Sequence, residues 1–553
     1  CRANSHHSTW CSLSSMTKAA SPWALPATVQ GKAASVCIAD RALEVVVDKS
    51  TWLHIPIELV LDVTWTSPTL SIAVVAPRRH LCHAPRVLSR TQWTERHKNA
   101  AELEPFTFEA QHVDGEGAEW AAHVMQLAYH RTRPQRRVLI ICNPFGGKGH
   151  AKKMLDDVVK PTFNAARCTI HVVETKKRGD AYRSCESLDV SQYDALACVG
   201  GDGTLHESLN GLACRTDAAH ALTLPVVPVP AGSGNGLFVS LHGTAVGFSA
   251  VHACLSAIKG VPYTHELMTV TQPQDAFTSA YSCPYTLHGV GPDGRSYVQY
   301  YSFMSQAIGI IADIDIGTES WRFMGDARFE LGYVLSVLRN RPCPITVEVC
   351  FGPSGTASRA DMYHAAKKTP ERIQESPLPV EDAHQLLRGS VLDPLPTADV
   401  PLRLSESARP PTDDTWTRLD VSVSSVYAGK VPFVSRGLMA FPYTCPSDGL
   451  MDVLIQDQRT SALQKISATL HGESGDHIFD RGMHYIKVHA LRITPHPNTP
   501  RRFLSVDGEM VPYAPIQVEV SPLRITLLTL SDDEWSAPSI RAHTIQAHAS
   551  RYP

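Results

Sequence analysis

The chain has no long apolar run, no excess of one charge and no paired-cysteine pattern, and each absence excludes a class of protein. No stretch of 18 or more apolar residues occurs in its 553 residues, so no transmembrane helix is expected. Lys and Arg number 51 against 54 Asp and Glu, a formal net charge of -3. That balance argues against wholesale nucleic-acid binding, and any anion site must be local. The 14 cysteines are scattered and form no CxxC pair, which disfavours a disulfide framework or a zinc site. Buried reduced thiols such as Cys142 and Cys198, in a cytoplasmic protein, are the expectation. The 26 histidines show no HExxH spacing. Residues 1–34, opening on Cys1 without a signal-peptide apolar core, are expected to be disordered.

What is present is apolar substance: 43% hydrophobic residues, enough for the three or four domains the length suggests. Residues 35–131 read as a small β-rich domain, with strand-like runs at 43–47, 55–61 and 70–75. A helix follows with Trp120, Val124, Leu127 and Ala128 on one face. Strands closed by one amphipathic helix resemble a pleckstrin-homology-like domain, a lipid-surface module. A plain packing domain is an equal alternative. Arg131, Arg133, Arg136 and Arg137 form a basic linker.

From Val138 strand and helix alternate, which predicts a parallel sheet over 134–262. Val138 to Cys142 is a buried strand leading into Asn143, Pro144, Phe145, Gly146, Gly147, Lys148 and Gly149. The helix from His150 is expected to stop at Pro161. A second strand ends at Thr175. A third, Ala195 to Val199, leads into Gly200, Gly201, Asp202 and Gly203, with a helix beginning near Thr204. A fourth leads into Gly232, Ser233, Gly234 and Asn235. Three glycine turns at the ends of three strands leave backbone amides bare where a phosphate could approach. Lys148 adds a point charge, and Asp202 stands where an acid could take a proton.

The P-loop pattern GxxxxGK[ST] is absent, and no GxGxxG follows the first strand. The stretches Asn143-Pro-Phe-Gly-Gly-Lys-Gly149, Gly200-Gly-Asp-Gly-Thr-Leu-His-Glu207 and Pro230-Ala-Gly-Ser-Gly-Asn235 instead resemble the diacylglycerol-kinase-type catalytic domain, and most of all the sphingosine (long-chain base) kinases. The resemblance covers about residues 136–530. It implies an α/β nucleotide-binding domain (134–262), then a β-rich antiparallel sandwich (263–536) that holds the lipid. Within the sandwich, 352–415 carries nine prolines among polar residues and is expected to be a disordered insertion. A helix is expected from Phe323 to Arg339, with Phe323, Ala327, Leu331, Val334 and Leu338 along one face. Residues 537–553 are expected to be a loose tail.

The resemblance implies an ATP-dependent, Mg²⁺-requiring kinase that phosphorylates the primary hydroxyl of a sphingoid base, cytoplasmic and docked peripherally on a membrane. Asp202 is then the general base. The nucleotide is held by the 143–148 loop, Thr175, Gly201, Gly203, Glu207, the 232–235 loop, Arg322, Arg328, Asp507, Gly508 and Glu509. Asp313 is the expected partner of the substrate amine, with Gly200 to Gly203 beside it, and Asp315 is read as satisfying backbone amides. An internal salt bridge from Asp313 to Arg322 or Arg328 is the competing reading, as is a hairpin turn for 506–509. Asp180 is more acidic than expected next to Thr175. A ceramide or diacylglycerol kinase, an NAD kinase and an inactive lipid-binding scaffold are the rival functions. Oligomeric state is not legible.

Overall fold

A computed structural model describes residues 23–78, 86–88, 103–112, 116–146, 149–232, 234–246, 248–278, 287–290, 294–318, 321, 327–367, 402–404, 416–530 and 547–551. The described residues fall into two compact units, one ending at His130 and one running from Arg131.

Among its described residues the first unit is an eight-stranded antiparallel-rich sheet with one helix. Its strands are β1 (Ala24–Val29), β2 (Lys32–Ala39), β3 (Ala42–Val47), β4 (Ser50–Pro56), β5 (Val60–Thr66), β6 (Thr69–Pro77), β7 (Arg86–Val87) and β8 (Leu103–Gln111). They are ordered β5-β6-β8-β1-β2-β3-β4-β7. Helix α1 (Gly117–Ala128) buries Trp120, Ala121, Val124 and Ala128, close to the predicted face. The unit starts earlier than expected. Residues 1–34 are expected to be disordered, yet 24–29 pair with 32–37 as a hairpin. Leu25, Val29 and Val36 point to one side and are buried, which supplies the apolar face a strand needs.

The second unit opens as predicted. It runs β9 (Arg137–Cys142), α2 (His150–Met154), a π-helical turn (Leu155–Val159) and α3 (Lys160–Ala165). Then come β10 (Thr169–Glu174), α4 (Asp180–Glu186), β11 (Ala195–Gly200), α5 (Asp202–Ala213), β12 (Val226–Pro230), α6 (Gly236–His242) and α7 (Ala250–Lys259). The strands pair in parallel in the order β10-β9-β11-β12. Every residue of β11 is buried, as an apolar run covered on both faces must be. Pro161 does not end its helix. It sits in the first turn of α3, after the π turn has re-phased the backbone.

The strand-rich remainder comprises β13 (Val261–Pro273), β14 (Leu287–Val290), β15 (Ser296–Ser302), β16 (Ser305–Gly309), β17 (Ile345–Cys350), β18 (Thr417–Arg418), β19 (Val423–Gly429), β20 (Phe433–Ser435), β21 (Leu438–Met439), β22 (Met451–Asp457), β23 (Met483–Val488), β24 (Ala490–Pro495), β25 (Leu504–Val506), β26 (Glu509–Val511) and β27 (Ile516–Thr529). β27 joins the two lobes. It lies parallel to β12 at Val226–Leu527 and antiparallel to β13 along most of its length. The parallel sheet therefore continues without a break into an 11-stranded mixed sheet. A second sheet, β23-β22-β19-β16-β25-β26, packs on it. Met268, Val298 and Leu491 of the first sheet share a core with Ile308, Val426 and Val453 of the second.

Among the described residues four helices decorate this sandwich: α8 (Ile310–Asp315), α9 (Ala327–Arg339), α10 (Arg359–Lys367) and α11 (Ala462–Leu470). Helix α9 buries a different stripe from the one its spacing predicts. Leu331 and Leu338 are exposed, whereas Tyr333 and Val337 are buried. The reason is Gly332: a Cβ there would stand 2.6 Å from Thr318 Cγ2, so only a glycine face can approach α8 this closely. Phe323 lies outside the described residues.

Helix α10 falls inside the stretch expected to be disordered. Met362, Tyr363 and Ala366 form a buried stripe against Tyr443 and Phe441, which outweighs the polar composition around it. Residues 368–401 and 405–415 lie outside the described residues. The tail also departs from expectation at 547–551, because buried His548 meets the Tyr443 hydroxyl at 2.8 Å.

Candidate active site

The three glycine turns meet. Parallel pairing puts the C-terminal ends of β9, β11 and β12 side by side, and glycine lets their turns touch. The amides of Ala231 and Gly232 donate to the Gly200 carbonyl at 2.9 and 3.1 Å. A Cβ on Gly232 would lie 2.5 Å from Gly201 Cα, so that contact exists only because the side chain is missing. Gly146 closes the group from the other side, its Cβ position 3.6 Å from Gly200 Cα. Asn143 shapes its own turn, its Oδ1 accepting from the Phe145 amide at 3.1 Å. Pro144 is within that turn. Gly147, Lys148 and Ser233 lie outside the described residues.

Asp202 is the first residue of α5, two positions earlier than predicted. Its Oδ2 accepts the Gly236 amide at the start of α6, at 3.1 Å. Asn235 presents that amide from a left-handed conformation, φ 49°. Desolvation raises the Asp202 carboxyl pKa to about 6. The Gly236 amide opposes the rise, and the Asp507 carboxylate adds to it. A carboxylate with that value is still mostly ionised at neutral pH and is a better proton acceptor than an exposed aspartate.

Asp202 opens onto a cavity of about 1290 Å³. At one end the walls are Asn143, Phe145, Gly146, Thr175, Gly201, Gly203, Glu207, Gly232 and Gly234. Gly508, Glu509 and Arg328 complete them. Thr175 donates its amide to the Cys142 carbonyl, carrying β10 into register with β9. Glu509 explains Gly203, since a Cβ there would stand 2.5 Å from Glu509 Oε1. Arg178 pairs with Glu509 at 2.7 Å across this end.

Sequence reading missed Arg178, and with it Lys176 and Lys177, which also line the cavity. Asp180 is what places them. Its carboxylate caps the turn, accepting the Lys176 and Lys177 amides at 2.9 Å each. Arg183 and those amides lower its pKa to about 2. Glu207 supports the same turn by accepting the Gly179 amide at 2.8 Å. A basic triplet followed by Gly-Asp was the available signal.

The two candidate acids of α8 part company. Asp313 pairs with buried Arg502, whose guanidinium also donates to the Arg341 and Pro342 carbonyls at 3.0 and 2.9 Å. It does not line the cavity. Asp313, expected to meet the substrate amine, is held in an internal salt bridge, with Arg502 in place of Arg322 or Arg328; Asp315, two helical positions on, projects about 200° round the helix from it. Asp315 lines the cavity instead, its Oδ2 3.9 Å from where a Cβ on Gly508 would be. Arg328 donates to the Thr318 carbonyl at 3.2 Å. Arg322 lies outside the described residues.

Asp507 lines the cavity beside Gly508 and Glu509, and its side chain is also built into the fold. Its buried carboxylate accepts from Ser302 Oγ at 2.6 Å, from the amides of Phe303, Met304 and Ser305 at 3.1, 2.9 and 2.9 Å, and meets His206 Nδ1 at 2.8 Å. It therefore ties α5 to the β15–β16 turn and aims its neighbours Gly508 and Glu509. Among the described residues no group of three or more His, Cys, Asp or Glu is placed to hold a metal ion.

Bare amides, a desolvated aspartate and an adjoining deep cavity are the parts a phosphoryl-transfer site requires. Residues 137–270 match the diacylglycerol kinase catalytic domain, and 413–529 match the YegS C-terminal NAD kinase beta sandwich-like domain. "Sphingoid long chain base kinase 5" of Saccharomyces cerevisiae is 31% identical over 72% of this chain and 60% of its own length. "Sphingoid long chain base kinase 4" of Schizosaccharomyces pombe is 29% identical over 74% and 79%. "Sphingosine kinase 2" of Arabidopsis thaliana is 30% identical over 68% of each chain. The chain belongs to the sphingoid long-chain base (sphingosine) kinase family, and it spans 60% of the length of the budding-yeast relative.

Proposed function

We propose that this protein transfers the γ-phosphoryl group of ATP to the primary hydroxyl of a sphingoid long-chain base. The observation that carries the reading is the meeting of three glycine turns around Asp202 on a cavity that Leu438, Leu454, Ala468 and Met483 also line. Phosphates would lie on the bare amides of the 143–146, 200–203 and 232–234 turns, with Lys148, Ser233 and Arg322 joining them from outside the described residues. Lys176, Lys177, Arg178 and Arg328 would neutralise their charge. Mg²⁺, arriving on the nucleotide, would supply further charge neutralisation; Asp202, Glu207 and Glu509 are the carboxylates facing that end.

Asp202 takes the proton as the alcohol oxygen bonds to phosphorus and the bond to the ADP oxygen breaks, leaving a phosphomonoester and ADP. Asp315 is assigned the protonated amine, an ion pair within the cavity that neither a ceramide nor a diacylglycerol could form. The N-terminal unit is read as a pleckstrin-homology-like surface module serving peripheral membrane contact at a cytoplasmic face. No described helix is long and apolar enough to cross a membrane. The test is a kinase assay of the purified chain with sphingosine, ceramide or diacylglycerol and Mg²⁺-ATP. Phosphate on sphingosine alone supports the reading, and phosphate only on the other two overturns it.

A further inference from the structure

One stretch of the cavity wall is a continuous piece of chain. Ala468 and Thr469 at the end of α11, then Glu473 and His477, then Met483 at the start of β23, all line the cavity. His477 stands in a 3₁₀ turn, Asp476–Phe479, and its Nε2 lies 3.3 Å from the carbonyl of Ala440, another lining residue. Buried Ile478 and partly buried Phe479 of the same turn pack in the apolar cluster of Tyr427, Ala440 and Leu454, which face the cavity too. The position of this turn therefore sets the position of that wall.

The turn is gripped from the side away from the cavity by residues 547–551. His548 is fully buried, with its Nδ1 2.8 Å from the Tyr443 hydroxyl and its Nε2 3.3 Å from Asp476 Oδ1. An ionised carboxylate cannot donate, so Nε2 carries the proton and Nδ1 accepts from Tyr443. The imidazole also stands edge-on to Phe479, with centroids 4.9 Å apart. Arg551 adds a second hold, its guanidinium 4.2 Å over the Phe479 ring and 3.5 Å from Asp476 Oδ1. None of His548, Arg551, Asp476 and Phe479 lines the cavity. Arg359 of α10 donates to the Ile478 carbonyl at 2.5 Å, so the turn keeps an anchor of its own without the 547–551 segment.

We propose that His548 and Arg551 are positioning residues for the acceptor. Acting through Asp476 and Phe479, they fix the wall that carries Glu473 and His477, and so set the affinity for the lipid base and not for ATP. The inference rests on the kinase reading above. Ordering a wall that is loose in the free enzyme costs binding free energy, and a wall already held from behind avoids that cost. The glycine turns around Asp202 are carried by β9, β11 and β12, so a shift of the 476–479 turn reaches the base before it reaches the nucleotide.

The experiment measures kcat and KM for sphingosine and for ATP, with amide hydrogen exchange over 468–480, in the parent, a chain ending at residue 546, His548→Ala and His548→Asn. The shortened chain and His548→Ala are expected to raise KM for sphingosine about three- to tenfold, with KM for ATP held within about twofold and kcat little changed. Exchange over 468–480 should quicken in both. His548→Asn, which keeps a polar atom near the Nδ1 position, should recover part of the sphingosine KM. If the shortened chain does not fold, His548→Ala decides the matter. A sphingosine KM unchanged in His548→Ala overturns the inference, as does a rise shared equally by ATP or exchange over 468–480 that stays at the parent rate. Were the parent to phosphorylate no sphingosine, the underlying kinase reading would fail instead, so the two failures are told apart.

Discussion

The two ends of the cavity are built by different means. The end around Asp202 is made of backbone: turns whose glycines meet at distances a Cβ would forbid, and amides that any three suitably ended strands could present. The end lined by Ile314, Asp315, Tyr427 and Leu454 is made of side chains on a sheet face and on α8, where a shift of one residue changes what is reached. The first construction leaves a mark in local composition. The second leaves almost none, because it depends on which strand of a distant segment lies alongside.

The sharpest way to test that contrast is to remove the group standing at the junction. Asp202→Asn is expected to lower kcat by about 10²- to 10⁴-fold while nucleotide affinity, measured by calorimetry, stays within a few-fold. A variant as active as the parent would refute the proton-transfer role. The raised carboxyl also has a stability consequence. A group whose folded pKa lies above its unfolded value favours the folded state at low pH and disfavours it progressively as pH rises through that range. The same Asn variant should therefore melt higher than the parent at pH 7.5, and the gap should close toward pH 4.

The two aspartates of α8 provide the next test. Asp315→Asn is expected to raise KM for the base by about 10- to 100-fold with the melting temperature little changed. Asp313→Asn should do the reverse, lowering the melting temperature by a few degrees as Arg502 loses its partner and leaving KM nearly intact. Equal KM effects from both would erase the distinction.

Smaller in size is the pH profile. With its pKa raised to about 6, the Asp202 carboxyl is protonated below that pH, so kcat/KM should fall tenfold per unit on the acid side. A limb centred near 4 would mean the carboxylate is not desolvated in the working enzyme. Smallest is Arg178→Gln, which breaks the exposed pair with Glu509. It should raise KM for ATP only a few-fold, since exposed pairs contribute little and neighbouring Lys176 and Lys177 remain.

Much of the nucleotide end was legible before the fold was known. The apolar runs ending in Asn143, Gly200 and Ala231 each pointed to a buried strand, and parallel order follows from the intervening helices. The different surroundings of Asp313 and Asp315 show the limit of that kind of reading. Both acids follow the same strand, and nothing local says that Arg502, 189 residues further along, occupies one of them. Helix α9 fails in the same way. Its leucines mark one stripe, yet Gly332 selects another because α8 approaches there. In the expected disordered insertion, a polar average concealed Met362, Tyr363 and Ala366, whose burial depends on Tyr443 lying opposite.

By itself the order of residues determined the parallel sheet, the anion-binding turns and the acid among them, because those features follow from spacing and from the backbone freedom of glycine over a dozen residues at a time. Only the tertiary structure decided which aspartate lines the cavity, which cations gather around Glu509 and which polar groups join them in its walls. Those outcomes depend on contacts between segments hundreds of residues apart, and the register of β27, β19 and β22 sets them, not the chemistry of any one stretch.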